Sequence, residues 1–393
     1  MTGLTREVDA RTLHFGPIGL GGPMPPEKSR ELLEAETAWM VLGERVPDSV
    51  CNQFKDLVSA YRDGLFRYKT FTDLDRDSYR VLEVALKARF LEHYDRRLPL
   101  AKDREERNVE VSDFEGARRL VVSSGGWRLN GHRRFNGSFA SLLHWARAEG
   151  YFFGQFNRVR EDVTPQIRNH VLHSEYDRLI APPDALRRLS VLYQWVQRLW
   201  GYDTPGGDAY PGRVPRFLWI VGHGTGRCTW MRIEYPLSEV KEYREHKTWY
   251  VVLAVERAEL GDWRPGFECT AMPVDIVWGP GGWEILVDVV ERNSTLWTID
   301  SVDVLDRTFF IRILPGGVEL ARNGKQVREL KDRRPEERWT VIRADSPSAA
   351  MHHLSGYTPG DHAADGVCHA CAVEVVMHGA RRETIDRCLK PKP

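Results

Sequence analysis

Apolar positions along this chain follow two rhythms, one in each half. After Pro26 the tract EKSRELLEAETAWMVLGERV is rich in helix formers. It places Leu32, Leu33, Ala35, Trp39 and Leu42 on an imperfect stripe, which predicts a first helix ending near Gly43. A stronger stripe of Val81, Leu82, Ala85, Leu86, Phe90, Leu91 and Tyr94 predicts a helix capped by Asp77 or Ser78 and stopped by Pro99. Ser138 opens a short helix through Leu142, Leu143 and Ala146 that ends at Gly150. Thr164-Pro165, an N-cap residue followed by proline, is a start signal for a helix reaching about Ile180, where Pro182-Pro183 ends it. A last helix, from Asp184 to Trp200, carries Leu186, Leu189, Leu192, Trp195, Val196 and Leu199.

Past Gly201 a Gly/Pro loop gives way to short β-rich runs: Arg216 to Val221, Cys228 to Tyr235, Thr248 to Val255, Glu284 to Val290, Thr308 to Leu314 and Trp339 to Arg343. Pro315-Gly316-Gly317 and Asn323-Gly324 punctuate them like hairpin turns. The expected class is α+β, a helical bundle followed by a mostly antiparallel β-rich domain. The expected layout is an N-terminal arm with accessory helices over 1–69, a helical domain over 70–200 and a linker over 201–214. A β-rich domain over 215–345 and a polar Cys/His-containing tail over 346–393 follow.

At 393 residues, two or three domains of ordinary size are expected. Apolar residues at 42% supply enough material for packed cores. Lys plus Arg (56) balance Asp plus Glu (56), which excludes a globally basic nucleic-acid binder and leaves local basic patches open. The longest apolar run, Trp249 to Val255, is far short of the roughly 18 residues a membrane helix needs. The charged N-terminus has no signal-peptide core, so a soluble cytoplasmic protein with reduced cysteines is expected, with no membrane partner.

The chemistry concentrates in Gln166-Ile167-Arg168-Asn169-His170-Val171-Leu172-His173, an R-x4-H spacing with Asn after the Arg. On a helix Asn169 and His173 share a face one turn apart, and Arg168 in the first turn is long enough to lean toward them. Phosphate is drawn to a helix N-terminus, beside which Arg168 is expected to sit.

The chain here resembles the HEPN superfamily, whose signature is this R-x4-6-H arrangement at a helix start, commonly with Asn after the Arg. Residues 79–97, with VLEVALKARFLEHY, and SFASLLHWARAEGYF at 138–152 are similar to its early and middle helices, so the likeness covers about 70–200. The resemblance implies metal-independent RNA cleavage at a site completed by two facing HEPN domains. With one copy per chain, that implies a homodimer. His173 would move the proton, Arg168 would offset charge on phosphorus and Asn169 would orient phosphate or His. RNA is the implied partner, the product is a 2′,3′-cyclic phosphate, and no cofactor serves catalysis. Other members are non-catalytic, and a scaffold that dimerises and recruits a partner or nucleic acid through its β-rich domain is the alternative. A HEPN partner of a nucleotidyltransferase is disfavoured, since no Gly-Ser plus Asp-x-Asp pattern is found.

Glu83, Lys87 and Arg89 on the early helix are either supports for that motif or a solvated face, and His170 is a further supporting candidate. Trp127, Arg128, His132, Arg133 and Arg134 form a basic, aromatic-bearing segment that suits single-stranded RNA or is merely solvated. Gly222-His223-Gly224-Thr225-Gly226 lacks a P-loop ending and reads as a strand-connecting turn. Cys368-x2-Cys371 has metal-ligand spacing. His378 and Cys388, or His362 as a substitute, would complete a structural zinc site; otherwise the two are reduced thiols on a packed helix. The tryptophans of the β-rich half are core residues or a binding face for a protein partner.

Overall fold

The computed structural model describes residues 7–13, 23–123, 125–173, 180–202, 204, 209–210, 216–224, 227–233, 248–255, 272–281, 305–314, 317–321, 336–345, 349–350, 353–354, 362–363 and 365–389. Within those ranges, residues 172–173, 216–281 and 314–321 are described by their backbone. The class is α+β: helices come first, and antiparallel sheets follow. Among the described residues two compact units separate, one holding 7–152 and 160–210, the other 153–159 and 216–389.

The helical unit contains α1 (Pro26–Ala38), α2 (Asp48–Asp63), α3 (Lys69–His93), α4 (Phe114–Ser123), α5 (Phe139–Ala148), most of α6 (Gln155–His173) and α7 (Pro182–Leu199). Val50, Phe54, Leu57 and Tyr61 recur at helical spacing in α2 and are buried, so this helix packs as core. The expected accessory status of 1–69 therefore does not describe it. Trp39 and Phe54 reach Tyr193 of α7 with ring centroids 5.1 and 6.0 Å apart, and Gln197 Oε1 accepts the Gly43 N–H at 3.0 Å. The centre is α3, 25 residues long, whose Phe90 meets Tyr94, Phe114, Phe135 and Trp145 at 4.7 to 5.5 Å. Asp77 and Ser78 do not cap it. The helix starts eight residues before Asp77, at Lys69, and the Ser78 hydroxyl bonds back to the Asp75 carbonyl. Ser138 does cap α5, accepting the Ser141 N–H at 3.2 Å.

The charged stretch after Ala101 forms β2 (Glu105–Glu110) against β1 (Arg97–Lys102), and β3 (Arg128–Leu129) completes a three-stranded antiparallel sheet in order β2-β1-β3. Pro182-Pro183 opens α7, because proline at the first positions lacks only an N–H that has no helical acceptor, and the stretch from 174 to 179 over which the preceding helix is expected to run lies outside the described residues.

The second unit holds two antiparallel sheets. Strands β4 (Arg216–Gly224), β5 (Arg227–Ile233), β6 (Thr248–Val255) and β7 (Met272–Gly281) run in order β5-β4-β6-β7. Strands β8 (Arg307–Leu314), β9 (Gly317–Ala321), β10 (Arg338–Ala344), β11 (Gly366–Cys368) and β12 (Val373–Ala380) run in order β11-β12-β10-β8-β9. Gly222, His223 and Gly224 end β4, with Gly224 opposite Arg227 of β5; Thr225 and Gly226, where a strand-connecting turn is expected, lie outside the described residues. Glu284 to Val290 and Asn323-Gly324 lie outside the described residues. The segment expected as a polar tail supplies β11 and β12, the latter paired along β10, and ends in α8 (Arg382–Cys388). Val373 and Val375 of β12 are buried, joining a core with Phe309, Ile311, Ile342 and Ala344 or lying beside it.

Candidate functional site

Three helices of the first unit build the polar cluster around Arg168. The apolar stripe of α3 turns Val81, Leu82, Ala85 and Leu86 inward, which leaves Glu83 and Lys87 at its border. Glu83 Oε2 accepts from Arg168 Nη2 at 2.8 Å, and Glu83 Oε1 meets Lys87 Nζ at 2.9 Å. The other arm of the guanidinium, Nη1, donates to Asn169 Oδ1 at 3.1 Å, and the group lies 5.8 Å from the Phe139 ring centroid on α5. The Arg168 side chain is 24% exposed and that of Glu83 is 20% exposed, so the pair is fixed yet reachable by an anion. Asn169 and His170 are exposed, and His173, one turn beyond Asn169, is the last residue of α6, its side chain outside the described residues.

The helix start differs from expectation. α6 begins at Gln155 and carries Pro165 in its interior, so Thr164 is no cap and Arg168 stands near the C-terminal end, away from the N–H groups that draw phosphate. Carboxylates hold the true beginning within the second unit: Asp306 Oδ2 accepts the Gly154 N–H at 2.6 Å, and Asp345 accepts those of Gln155 and Phe156 at 2.7 and 2.9 Å. Burial pushes the Asp345 carboxyl up, against the pull of these N–H groups and that of Asp306. Further along, Glu161, almost fully buried, takes a bidentate bond from Arg147 at 2.6 and 2.9 Å. A helix tied at these points continues through proline. Arg89 belongs elsewhere, donating to the Tyr151 hydroxyl at 3.1 Å, pairing with Glu92 at 2.8 Å and lying over the Tyr151 ring.

The basic segment borders a cleft of about 1050 Å³ whose lining includes Lys102, Arg128, His132, Arg133, Arg134 and His144. Arg128, Arg133 and Arg134 are exposed there, and Trp127 lies under the Arg107 guanidinium at 4.0 Å. One titratable cluster near this cleft is invisible in the sequence, because its members are scattered from 93 to 151. Glu149 bridges His132 Nε2 at 2.5 Å and His93 Nε2 at 3.3 Å, and His93 Nδ1 meets the Tyr151 hydroxyl at 2.6 Å. Burial lowers the His93 pKa, opposed by the Glu149 carboxylate.

In the second unit the β11–β12 hairpin brings Cys368 and Cys371 together, and His353 and His362 join them. The four donor atoms all lie within 4.8 Å of one another, with Cys371 Sγ 3.0 Å and Cys368 Sγ 3.6 Å from His362 Nδ1. His362 takes the place the sequence allowed it, while His353 was not foreseen. His378 is exposed on β12 and meets Thr340 Oγ1 at 3.2 Å, and Cys388 is exposed on α8, so neither joins the cluster. β12 carries register shifts beyond Val375, so simple alternation does not place His378; it lies further along the strand against Thr340. Cys368 and Cys371 flank a turn between strands and do not lie on a helix. Burial pushes both thiols up. At Cys368 the N–H groups of Ala363 and Cys371, with the His362 and Cys371 side chains, outweigh it and leave that thiol below its ordinary value, whereas Cys371 is pushed up to about 12. The donor set of two sulfurs and two imidazoles suits a soft or borderline divalent cation.

Among the described residues no helix is long and apolar enough to cross a membrane. The chain matches no protein-family model, no curated protein and no solved structure.

Proposed function

We propose that this chain is a HEPN-type endoribonuclease that cleaves RNA as a homodimer without a catalytic metal. The observation that supports this most is the Arg168–Glu83 pair, which joins α3 to α6 and holds a half-buried guanidinium beside Asn169, one turn before His173. Glu83 takes one N–H of Nη2 and Asn169 one of Nη1, which orients the guanidinium and leaves its remaining N–H donors for phosphate oxygens. In the reaction one imidazole takes the 2′-hydroxyl proton as that oxygen attacks phosphorus. The bond to the 5′-oxygen breaks, and an imidazolium returns a proton to the leaving oxygen. The products are a 2′,3′-cyclic phosphate and a 5′-hydroxyl. Each chain supplies one R-x4-H, so the second imidazole comes from a second copy, with the two-fold axis near Asn169 and His173.

The cleft at Arg128, Arg133 and Arg134 would carry the RNA strand. The β-rich unit would recognise the trigger or a protein partner, as befits the effector of a cytoplasmic stress, toxin or anti-phage system. The metal in this reading is a structural zinc ion in the C-terminal region, outside the reaction. The test is cleavage of a labelled RNA in excess EDTA by the full chain and by His173→Ala. Cyclic-phosphate products from the first and none from the second are expected. Undiminished cleavage by pure His173→Ala overturns the assignment, and an exposed motif with no cleavage in either protein favours the scaffold.

A further inference from the structure

We propose that His353, His362, Cys368 and Cys371 are the four ligands of one tetrahedral zinc ion that closes the β11–β12 hairpin onto the core of the second unit. The proposal rests on reading the C-terminal region as zinc-bearing, and it is independent of RNA cleavage.

Geometry supports it first. Zinc bonds of about 2.0–2.1 Å to nitrogen and about 2.3 Å to sulfur give a tetrahedron with edges of about 3.3–3.8 Å. The distances from His362 Nδ1 to the two sulfurs, 3.0 and 3.6 Å, fall around that range, and all four donor atoms lie within 4.8 Å of one another. The His353 and His362 rings stand nearly perpendicular with centroids 5.4 Å apart, so both rings can aim a nitrogen at one centre.

The hairpin supports it second. Two residues separate Cys368 from Cys371, and Ala372 takes a positive φ of 50° as the chain enters β12, a conformation that a non-glycine residue adopts at a local cost. The Cys371 backbone N–H, from that turn, and the Ala363 N–H, from the residue after His362, both bond to Cys368 Sγ. Donors aimed at a sulfur are the arrangement that orients a metal-bound thiolate.

Charge and surroundings support it third. Two thiolates and two neutral imidazoles exactly offset the charge of a divalent zinc, so the assembled centre is neutral. It can therefore sit beside Phe309, Ile311, Ile342, Ala344 and Ala350 without the cost of a buried net charge. Four protein ligands also fill the tetrahedron and leave no open position, which makes the centre structural. It would tie three separate pieces of chain, around 353, around 362 and the hairpin at 368–371, to the face of the five-stranded sheet.

The experiment is elemental analysis of the full chain purified without chelator, beside single variants. One zinc per chain is expected in the parent, in His378→Ala and in Cys388→Ser, with loss of the ion in Cys371→Ser and His362→Ala. No zinc in the parent overturns both this proposal and the zinc reading. Zinc kept in Cys371→Ser, or lost in Cys388→Ser or His378→Ala, overturns the ligand set while the zinc reading stands. Should the ligand variants not fold, cobalt exchanged into the parent chain decides: tetrahedral d–d bands with thiolate charge transfer support the site, and a weak octahedral spectrum overturns it.

Discussion

The Arg168 cluster and the Cys368 cluster are both groups of polar side chains gathered from distant positions, but they are balanced differently. Around Arg168 opposite charges meet: Glu83 takes Lys87 on one oxygen and Arg168 on the other, so the group is satisfied by protein alone and needs nothing bound to stand. Around Cys368 every member offers a lone pair, and Cys371 is pushed up to about 12 while it keeps its proton. In the proposed reading the first arrangement positions a cation for an anion that comes and goes, and the second is complete when a cation stays. A transient ligand calls for a side chain held in place beforehand, and a permanent one can itself be part of the fold.

The sharpest way to break the first half of this contrast is at the chemistry. His173→Ala should lower RNA cleavage by about 10²–10⁴-fold, the usual worth of one acid–base group, and circular dichroism of the variant checks that the fold is kept. Arg168→Lys should be severely impaired as well, since an ammonium cannot serve Glu83, Asn169 and phosphate with one planar fork. Full activity in Arg168→Lys would show that Arg168 only holds α6 to α3.

A second ion pair sharpens the comparison from the side of stability. In the β-rich unit Arg312 and Glu337 pair at 2.5 Å with both side chains 2% exposed, and Glu337 Oε1 also accepts the Trp339 indole N–H at 3.2 Å. Breaking a buried, hydrogen-bonded pair is strongly destabilising, so Glu337→Ala should cost about 3–5 kcal/mol in denaturant unfolding. The Arg168–Glu83 pair is partly exposed, and Glu83→Gln should cost less than about 1 kcal/mol. Its cleavage rate should nevertheless fall, because a neutral amide orients the guanidinium less firmly. Equal stability losses in Glu337→Ala and Glu83→Gln would remove the distinction between a structural and a positioning pair.

The two halves were unequally legible in the sequence. The α3, α5 and α7 stripes reported themselves through helical spacing, and Ser138 was readable as a cap because its hydroxyl performs that task locally. α2 carries an equally clear spacing of Val50, Phe54, Leu57 and Tyr61, so it too is legible in the sequence. The start of α6 was not legible: Thr164-Pro165 carries every local mark of a beginning, while the groups that hold the real one, Asp306 and Asp345, are about 150 and 190 residues away. At the metal cluster the Cys-x2-Cys half was local and readable. The partners were not, since His378 meets Thr340 further along β12 and His353 lies fifteen residues before Cys368. The Arg168–Glu83 link sat between these extremes, an 85-residue separation made readable as a candidate by the motif alone.

The smallest expected effect tests whether the helical unit's other polar group, His93 with Glu149, His132 and Tyr151, behaves as a balanced set. Burial holds the His93 pKa below 6.5 in the folded chain, opposed by Glu149 and reinforced by Arg89 and His132. The folded state therefore binds fewer protons at this site than the unfolded state between the two values. By linkage, the stability that His93 contributes is complete above pH 6.5 and is lost as pH falls through its folded pKa. His93→Gln has no proton to bind, keeps a polar group near the Tyr151 hydroxyl, and should flatten this acid-side decline. The check is the urea midpoint of parent and variant from about pH 7.5 down to about pH 5, where the parent should fall further than the variant. Parallel curves would mean that the Glu149 carboxylate cancels the burial of the imidazole, and that this cluster is as fully satisfied by the protein as the one around Arg168.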